Sequence, residues 1–224
     1  MSPRKSAGRA SRGAIARARK IKLLLFDVDG VLTDGTIFLF PAPAGSLAPE
    51  NAEAGLSQEK HAKADAGGYA IVSRSMIEAK GFHAHDGIGI TLARLGGLKT
   101  GLITKRISET VALRARDLRL DYVRQGALDK SAALDEILSQ AHCTAEQVAY
   151  VGDDIIDLPV MRRCGLAIAV PNARDEARRE AHYCTEHCGG EGAGRDAVEF
   201  ILRAQGTLEK VLAAYVGGKR PGQG

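Results

Sequence analysis

Short apolar runs separated by polar, glycine-rich or charged stretches dominate this chain, and from residue 86 onward they alternate regularly with helical patterns. KLLLFD, ending at Asp27, is a continuous apolar run bounded by turn signals and predicts a short buried strand. TIFLF (36–40) and YAIVSRS (69–75) predict two more strands. The stretch between them, 41–68, is rich in Pro, Ala, Gly and charge and predicts an exposed insertion. Two strands flanking such a loop suggest a hairpin flap over about 36–75 rather than a second folded domain.

Further along, DGIGITLARLGG has helical spacing and a glycine stop. KTGLIT reads as a strand, SETVALRARDL as a helix opened by Ser108, and Tyr122-Val123 as a weak strand. Helix DKSAALDEILSQA, strand VAYVGD, helix DLPVMRRCG, strand GLAIAV and helices ARDEARREA and RDAVEFILRAQ follow. This alternation predicts an α/β fold: a three-layer, doubly wound parallel sheet with helices on both faces. In such sheets the working site lies beyond the carboxyl ends of the strands.

Composition changes the picture at the ends. Residues 1–20 hold seven Lys/Arg and no acid, so the formal net charge of +4 conceals a mildly acidic body. The expected organisation is a basic disordered tail (1–20), one domain (21–206) and a flexible C-terminal tail (207–224). Trp is absent and aromatics are 4% of the chain, which gives base stacking little support, so no nucleic acid partner is expected. No apolar run reaches the length of a membrane span, and the expected location is the cytoplasm. The four cysteines are too few and scattered for a disulfide framework, and HYCTEHC (182–188) lacks the second ligand pair of a zinc site.

The strand-end rule gathers polar residues that are distant in sequence. The first strand ends in Asp27 and Asp29; another ends in Thr104, followed by Lys105 and Arg106. Lys130 opens a helix, and VAYVG runs into Asp153 and Asp154, with Asp157 one turn on. Carboxylates crowded together repel one another unless a cation sits among them, and Mg2+, a hard cation with oxygen ligands, answers that need and leaves room for a phosphate. One Asp could then attack phosphorus, while the second, on the same face of the strand, serves as general acid. Thr104 and Lys130 would hold phosphoryl oxygens, with Lys130 also countering Asp27. Asp34, before Gly35, is adequately explained as a turn residue.

DVDGVLTDG, the Thr104 strand end, Lys130 and GDDIID together resemble the haloacid dehalogenase superfamily of phosphotransferases, over residues 21 to about 205. The resemblance implies that Asp27 is the nucleophile and Asp29 the acid/base. It also implies Mg2+ held by the Asp27 carboxylate, the Asp29 carbonyl and Asp153, with Asp154 and Asp157 supporting.

A narrower resemblance is to the 3-deoxy-D-manno-octulosonate 8-phosphate phosphatase family, carried by DGIGI, LITKRISETVALRA, DYVRQGALDK, VAYVGDDIIDLPVMRRCGLAIAV and GGEGAGRDAVEFIL. It implies a capless enzyme of lipopolysaccharide sugar synthesis acting on a sugar acid phosphate, and a homotetramer in which each flap helps close a neighbour's site. By carry-over, His83, Ala84, His85, Asp86 and Gly87 form the substrate loop, and Arg106, Arg114 and Arg195, with Asp29 and Lys130, complete the substrate-binding set. The chain departs from that family's pattern at Lys105, where Gly is usual, at His85, where Arg is usual, and in GAGRD, where GAVRE is usual. A phosphatase for a nine-carbon keto-deoxy sugar acid phosphate is the near rival. A receiver-like phospho-acceptor domain is the rival of another class, disfavoured because the acids here form a DxD pair on strand one.

Overall fold

The computed structural model describes residues 10–41 and 76–218. Its centre is a six-stranded, wholly parallel sheet built from β1 (Leu23–Phe26), β4 (Lys99–Ile103), β5 (Tyr122–Arg124), β6 (Val148–Gly152), β7 (Leu166–Ala169) and β8 (Tyr183–Cys184), in the order β5-β4-β1-β6-β7-β8. β1 is buried at every position, as expected for a strand covered by helices on both faces. It pairs Phe26 with Leu102 of β4 on one side and with Val151 of β6 on the other. The chain leaves β1 towards β4 and later returns to the opposite side at β6. The sheet's topological switch point therefore lies at the carboxyl end of β1, where Asp27 stands.

Helices α1 (Arg12–Ala18), α2 (Ala84–Leu95), α7 (Ala193–Ala204) and α8 (Leu208–Val216) pack together as one layer. α4 (Lys130–Ala141), α5 (Leu158–Met161) and α6 (Asp175–Glu180) form another set. α3 (Glu109–Asp117), N-capped by the Ser108 side chain, adds Val111 and Ala115 to a small cluster with Val28 and Leu102.

Two expectations need correction. The basic N-terminal stretch is not wholly a disordered tail: residues 12–18 form α1, capped by Ser11, with Ala14 and Ala18 buried. Two alanines four apart allow close approach to α7, and the arginines work at the rim, where Arg17 donates to the Gly165 carbonyl (2.9 Å) and Arg19 to that of Ala204 (3.2 Å). The C-terminal stretch likewise forms α8, anchored by buried Leu208 and Val211. The flap has two antiparallel strands among the described residues, β2 (Phe38–Pro41) and β3 (Met76–Ala79). Residues 69–75 and the predicted insertion are outside the described residues, as are 1–9 and 219–224.

Candidate active site

Asp27 follows β1 directly, its N–H donating to the Val151 carbonyl (2.9 Å), and the residue is 3% exposed. The chain then turns tightly: the N–H groups of Val31, Leu32 and Thr33 all donate to the Val28 carbonyl. Gly30 makes this turn with φ +89°, and a Cβ there would lie 2.2 Å from Asp153 Oδ2. Only glycine lets the loop approach the second acidic strand end so closely. Asp34 accepts from Thr36 N (2.8 Å), a turn contact leading into the flap.

Lys130, at the first turn of α4, crosses beneath this loop with its side chain buried. Its Nζ lies 2.9 Å from Asp27 Oδ1 and 2.7 Å from Asp157 Oδ1. Tyr150 of β6 donates its hydroxyl to the same Asp157 oxygen (2.7 Å). The other Asp157 oxygen accepts from the backbone N–H of Asp153 (2.9 Å) and of Asp154 (3.2 Å). Asp157 is thereby saturated and acts as a brace for the loop after β6. Asp154 caps the short 3-10 turn Ile155–Asp157 through Ile155 N (2.7 Å). Thr104 is buried where β4 ends, its N–H and carbonyl tied to Arg124 and Ala127.

The carboxylates are more numerous than their cations. Burial pushes the Asp27 carboxyl up to about 7 against the pull of Lys130, with the Asp157 charge adding to the rise. Burial, reinforced by the charges of Asp27, Asp157 and Asp154, takes Asp153 up to about 8. Lys130 is held above its ordinary value by the two carboxylates despite the opposing effect of burial. Ligand atoms of Asp27, Asp153 and Asp157 lie within 4.8 Å of one another, the only such group among the described residues. Asp153 Oδ1 is buried without a hydrogen-bond partner, and no described residue donates to the Asp29 carbonyl. With Asp157 saturated, the side chains of this group that fit a divalent cation are those of Asp27 and Asp153.

Asp29 meets two cations. Lys80 Nζ donates to its Oδ1, and Arg106 Nε lies 3.5 Å from its Oδ2. Both cations also face Glu78 of β3. Sequence reasoning missed Glu78, Lys80 and Tyr150. The IEAK alternation places Glu78 and Lys80 on one side of a strand, which was the available signal, but it fell outside the strand predicted at 69–75.

The remaining predicted residues gather elsewhere. His83 caps α2 and its ring meets that of His85 edge-on at 4.6 Å. Asp86 is buried and accepts from Arg195 N (3.0 Å), so its carboxylate ties α2 to the start of α7 instead of facing the acidic cluster. Burial raises this carboxyl to about 6. Arg195 pairs with Glu199 (2.7 Å). Arg114 pairs with Asp117 (2.8 Å), stacks over Phe82 and lies beside Gly87. The structure thus joins Asp27, Lys130, Asp153 and Asp157 through direct contacts, and pairs Asp29 with Arg106 and Lys80 in a second set beside the loop after β1, with Thr104 at the neighbouring strand end. His83–Gly87, Arg114 and Arg195 form a separate shoulder around the start of α2. His187 of the Cys/His segment pairs with Asp196, and all four cysteines are free.

A profile of haloacid dehalogenase-like hydrolases matches residues 103–193. The chain is 35% identical over 202 residues to 3-deoxy-D-manno-octulosonate 8-phosphate phosphatase KdsC of Yersinia pestis, covering 90% of each. Among solved structures, the 3-deoxy-D-manno-octulosonate 8-phosphate phosphatase of Moraxella catarrhalis, in complex with magnesium ion, phosphate ion and KDO, superposes with a TM-score of 0.72 at 30% identity, over 90% of this chain and 97% of that one. The cobalt-bound Haemophilus influenzae phosphatase gives a TM-score of 0.70 at 30% identity, over 91% and 99%.

Proposed function

Since the chain belongs to the 3-deoxy-D-manno-octulosonate 8-phosphate phosphatase family of haloacid dehalogenase-like hydrolases, we propose that it removes the phosphate of that sugar acid ester in the cluster at the end of β1. The observation that carries this reading is the placement of Lys130 between Asp27 and Asp157, with Asp153 in the same acidic group and Asp29 two residues beyond Asp27.

Asp27 is the nucleophile. One of its oxygens attacks phosphorus, the bond to the ester oxygen breaks, and an aspartyl phosphate forms. Asp29 gives a proton to the departing sugar oxygen. It then takes one from the water that attacks phosphorus and frees Asp27. Lys130 keeps Asp27 oriented and offsets charge on the transferring group, and Thr104 holds a phosphoryl oxygen from the next strand end. Mg2+ bound by Asp27, Asp153 and the Asp29 carbonyl would neutralise carboxylate and phosphate charge during the transfer.

His83, Ala84, His85, Gly87, Arg106, Arg114 and Arg195 are proposed to read the sugar acid, where paired cations suit a carboxylate. Asp86 serves from behind, by holding Arg195. Assembly as a homotetramer in the cytoplasm belongs to the same proposal. It is supported by a flap ribbon that exposes Phe38, Leu39, Phe40 and Ile77, and by an apolar rim of Leu128 and Ile156 in the hollow shared with Lys130.

A phosphate-release panel tests the function. The octulosonate 8-phosphate should be preferred by at least tenfold in kcat/KM over hexose phosphates and over the nine-carbon keto-deoxy ester, with activity lost in chelator. Equal activity on hexose phosphates would overturn the substrate and leave the chemistry standing.

A further inference from the structure

Lys80 has no part in the chemistry set out above, yet its side chain is fully buried and bonds the carboxylate of Asp29. It follows β3, two residues after Glu78, and a strand projects such residues to one side. Ile77, on the opposite face, is 46% exposed. The flap root thus turns an acid and a base inward and an apolar residue outward.

The inward face is docked firmly. Ser108 Oγ donates to Glu78 Oε1 (2.6 Å), and Thr110 Oγ1 donates to the Glu78 carbonyl (3.2 Å). Both partners belong to the first turn of α3 or its cap. Lys80 is therefore positioned by a fixed element.

Glu78, Lys80, Asp29 and Arg106 close a ring of alternating charge. Lys80 bonds Asp29 and lies 3.9 Å from Glu78; Arg106 lies 3.5 Å from Asp29 and 3.4 Å from Glu78. The ring is incomplete on one side. Arg106 Nε and Asp29 Oδ2 are both buried without a hydrogen-bond partner, although they face each other. Buried unpartnered donors and acceptors are costly, and at a functional site they mark where a ligand's polar atoms belong. Asp29 is the residue that serves the sugar oxygen, so cations flanking it lie on the leaving-group side of the phosphorus. In the absence of substrate the two acids neutralise them.

We infer that Lys80 is a specificity-determining residue, which together with Arg106 binds the anionic, hydroxylated leaving group of the substrate, with Glu78 holding both cations in place. This rests on the proposed phosphatase reading. A neutral or small leaving group makes no use of Lys80, whereas a sugar acid does.

The test compares wild type, Lys80→Met and Lys80→Arg on octulosonate 8-phosphate and on p-nitrophenyl phosphate, with thermal melts as a folding control. Lys80→Met, similar in length and uncharged, should lose at least tenfold in kcat/KM on the sugar acid ester, mainly through KM. On p-nitrophenyl phosphate it should stay within threefold, and Lys80→Arg should recover part of the loss. An equal loss on both esters would overturn the proposal, because Lys80 would then act only through Asp29. No loss on either would overturn it too, leaving a structural ion pair. Should wild type instead prefer another carboxylated sugar ester, the substrate reading fails and the same comparison on that ester decides Lys80. Should no carboxylated ester be preferred to p-nitrophenyl phosphate, both readings fail.

Discussion

Lys130 Nζ stands 2.9 Å from the carboxylate of Asp27, and neither side chain has appreciable contact with water. Removing one member of a buried pair strands the other, at a cost of about 3–5 kcal/mol. Lys130→Met should therefore lower the urea midpoint as well as kcat, the latter by about 100-fold or more. Parallel urea melts and single-turnover assays check both effects. A normal kcat in a destabilised protein would reduce Lys130 to a structural role.

Asp27→Asn keeps the shape of the nucleophile and removes its charge. Phosphate release should vanish while the fold persists. Mg2+ should also raise the melting temperature of this variant less than that of wild type, because ligand binding to the native state stabilises by mass action. Calorimetric Mg2+ titrations and thermal melts, with and without chelator, provide readouts independent of turnover.

Tyr150 supplies one of the two side-chain donors on Asp157 Oδ1, the other being Lys130. Tyr150→Phe deletes the bond to Asp157 and the longer one that the hydroxyl accepts from Lys130 Nζ (3.2 Å) and keeps the packing, so a loss of about 1–2 kcal/mol in stability is expected. The effect on kcat should stay under tenfold, since Lys130 still holds Asp157. A loss as large as that of Lys130→Met would show that Tyr150 sets the position of the lysine itself.

Asp86 gives a pH signature. Its carboxyl sits at about 6 in the fold, against an ordinary 3.8. The native state therefore holds a proton that the unfolded chain has released, and stability falls as pH rises from about 4 to about 6, then levels. The full shift corresponds to at most about 3 kcal/mol. In Asp86→Asn that part of the slope disappears. The difference between the two urea-derived stability curves, measured from pH 4 to 7.5, should widen over this window in favour of the variant; a constant difference would contradict the assignment.

Deleting residues 1–20 should destabilise the protein even though the stretch is polar and basic. The α1 face carrying Ala14 and Ala18 would be lost, as would the bonds from Gln205 Nε2 to the Ala18 carbonyl (3.3 Å) and from Arg17 and Arg19 to theirs. A melting temperature lower by about 5 °C is expected in differential scanning fluorimetry, equivalent to about 2 kcal/mol in a domain of this size.

The candidate catalytic edge was legible in the sequence because it obeys one rule. Each of Asp27, Thr104 and Asp153 follows a short apolar run, and a parallel sheet brings such positions together however far apart they lie along the chain. α1 was not legible, because a charge count registers its arginines and ignores that its alanines recur at helical spacing. Glu78 and Lys80 were hidden for another reason: they lie beyond the stretch whose own pattern predicts a strand, and only the pairing of β3 with β2 identifies this segment as part of the flap. Asp86 entered the substrate set by analogy of motif; only the packing of α2 on α7 reveals that its Oδ1 accepts from the backbone of Arg195 while Oδ2 is left buried without a partner.

The central place of β1 has a consequence for biosynthesis. Asp27, the proposed nucleophile, stands at the end of β1, yet the two strands that flank β1 begin as late as Lys99 and Val148. β1 is wholly apolar and must wait, unpaired on both edges, until most of the chain has been made. Pairing so distant in sequence is slow to form and leaves a sticky edge exposed in the meantime. Substitutions that weaken β6 should thus appear first as poor soluble yield during expression, before any defect can be seen in the purified enzyme.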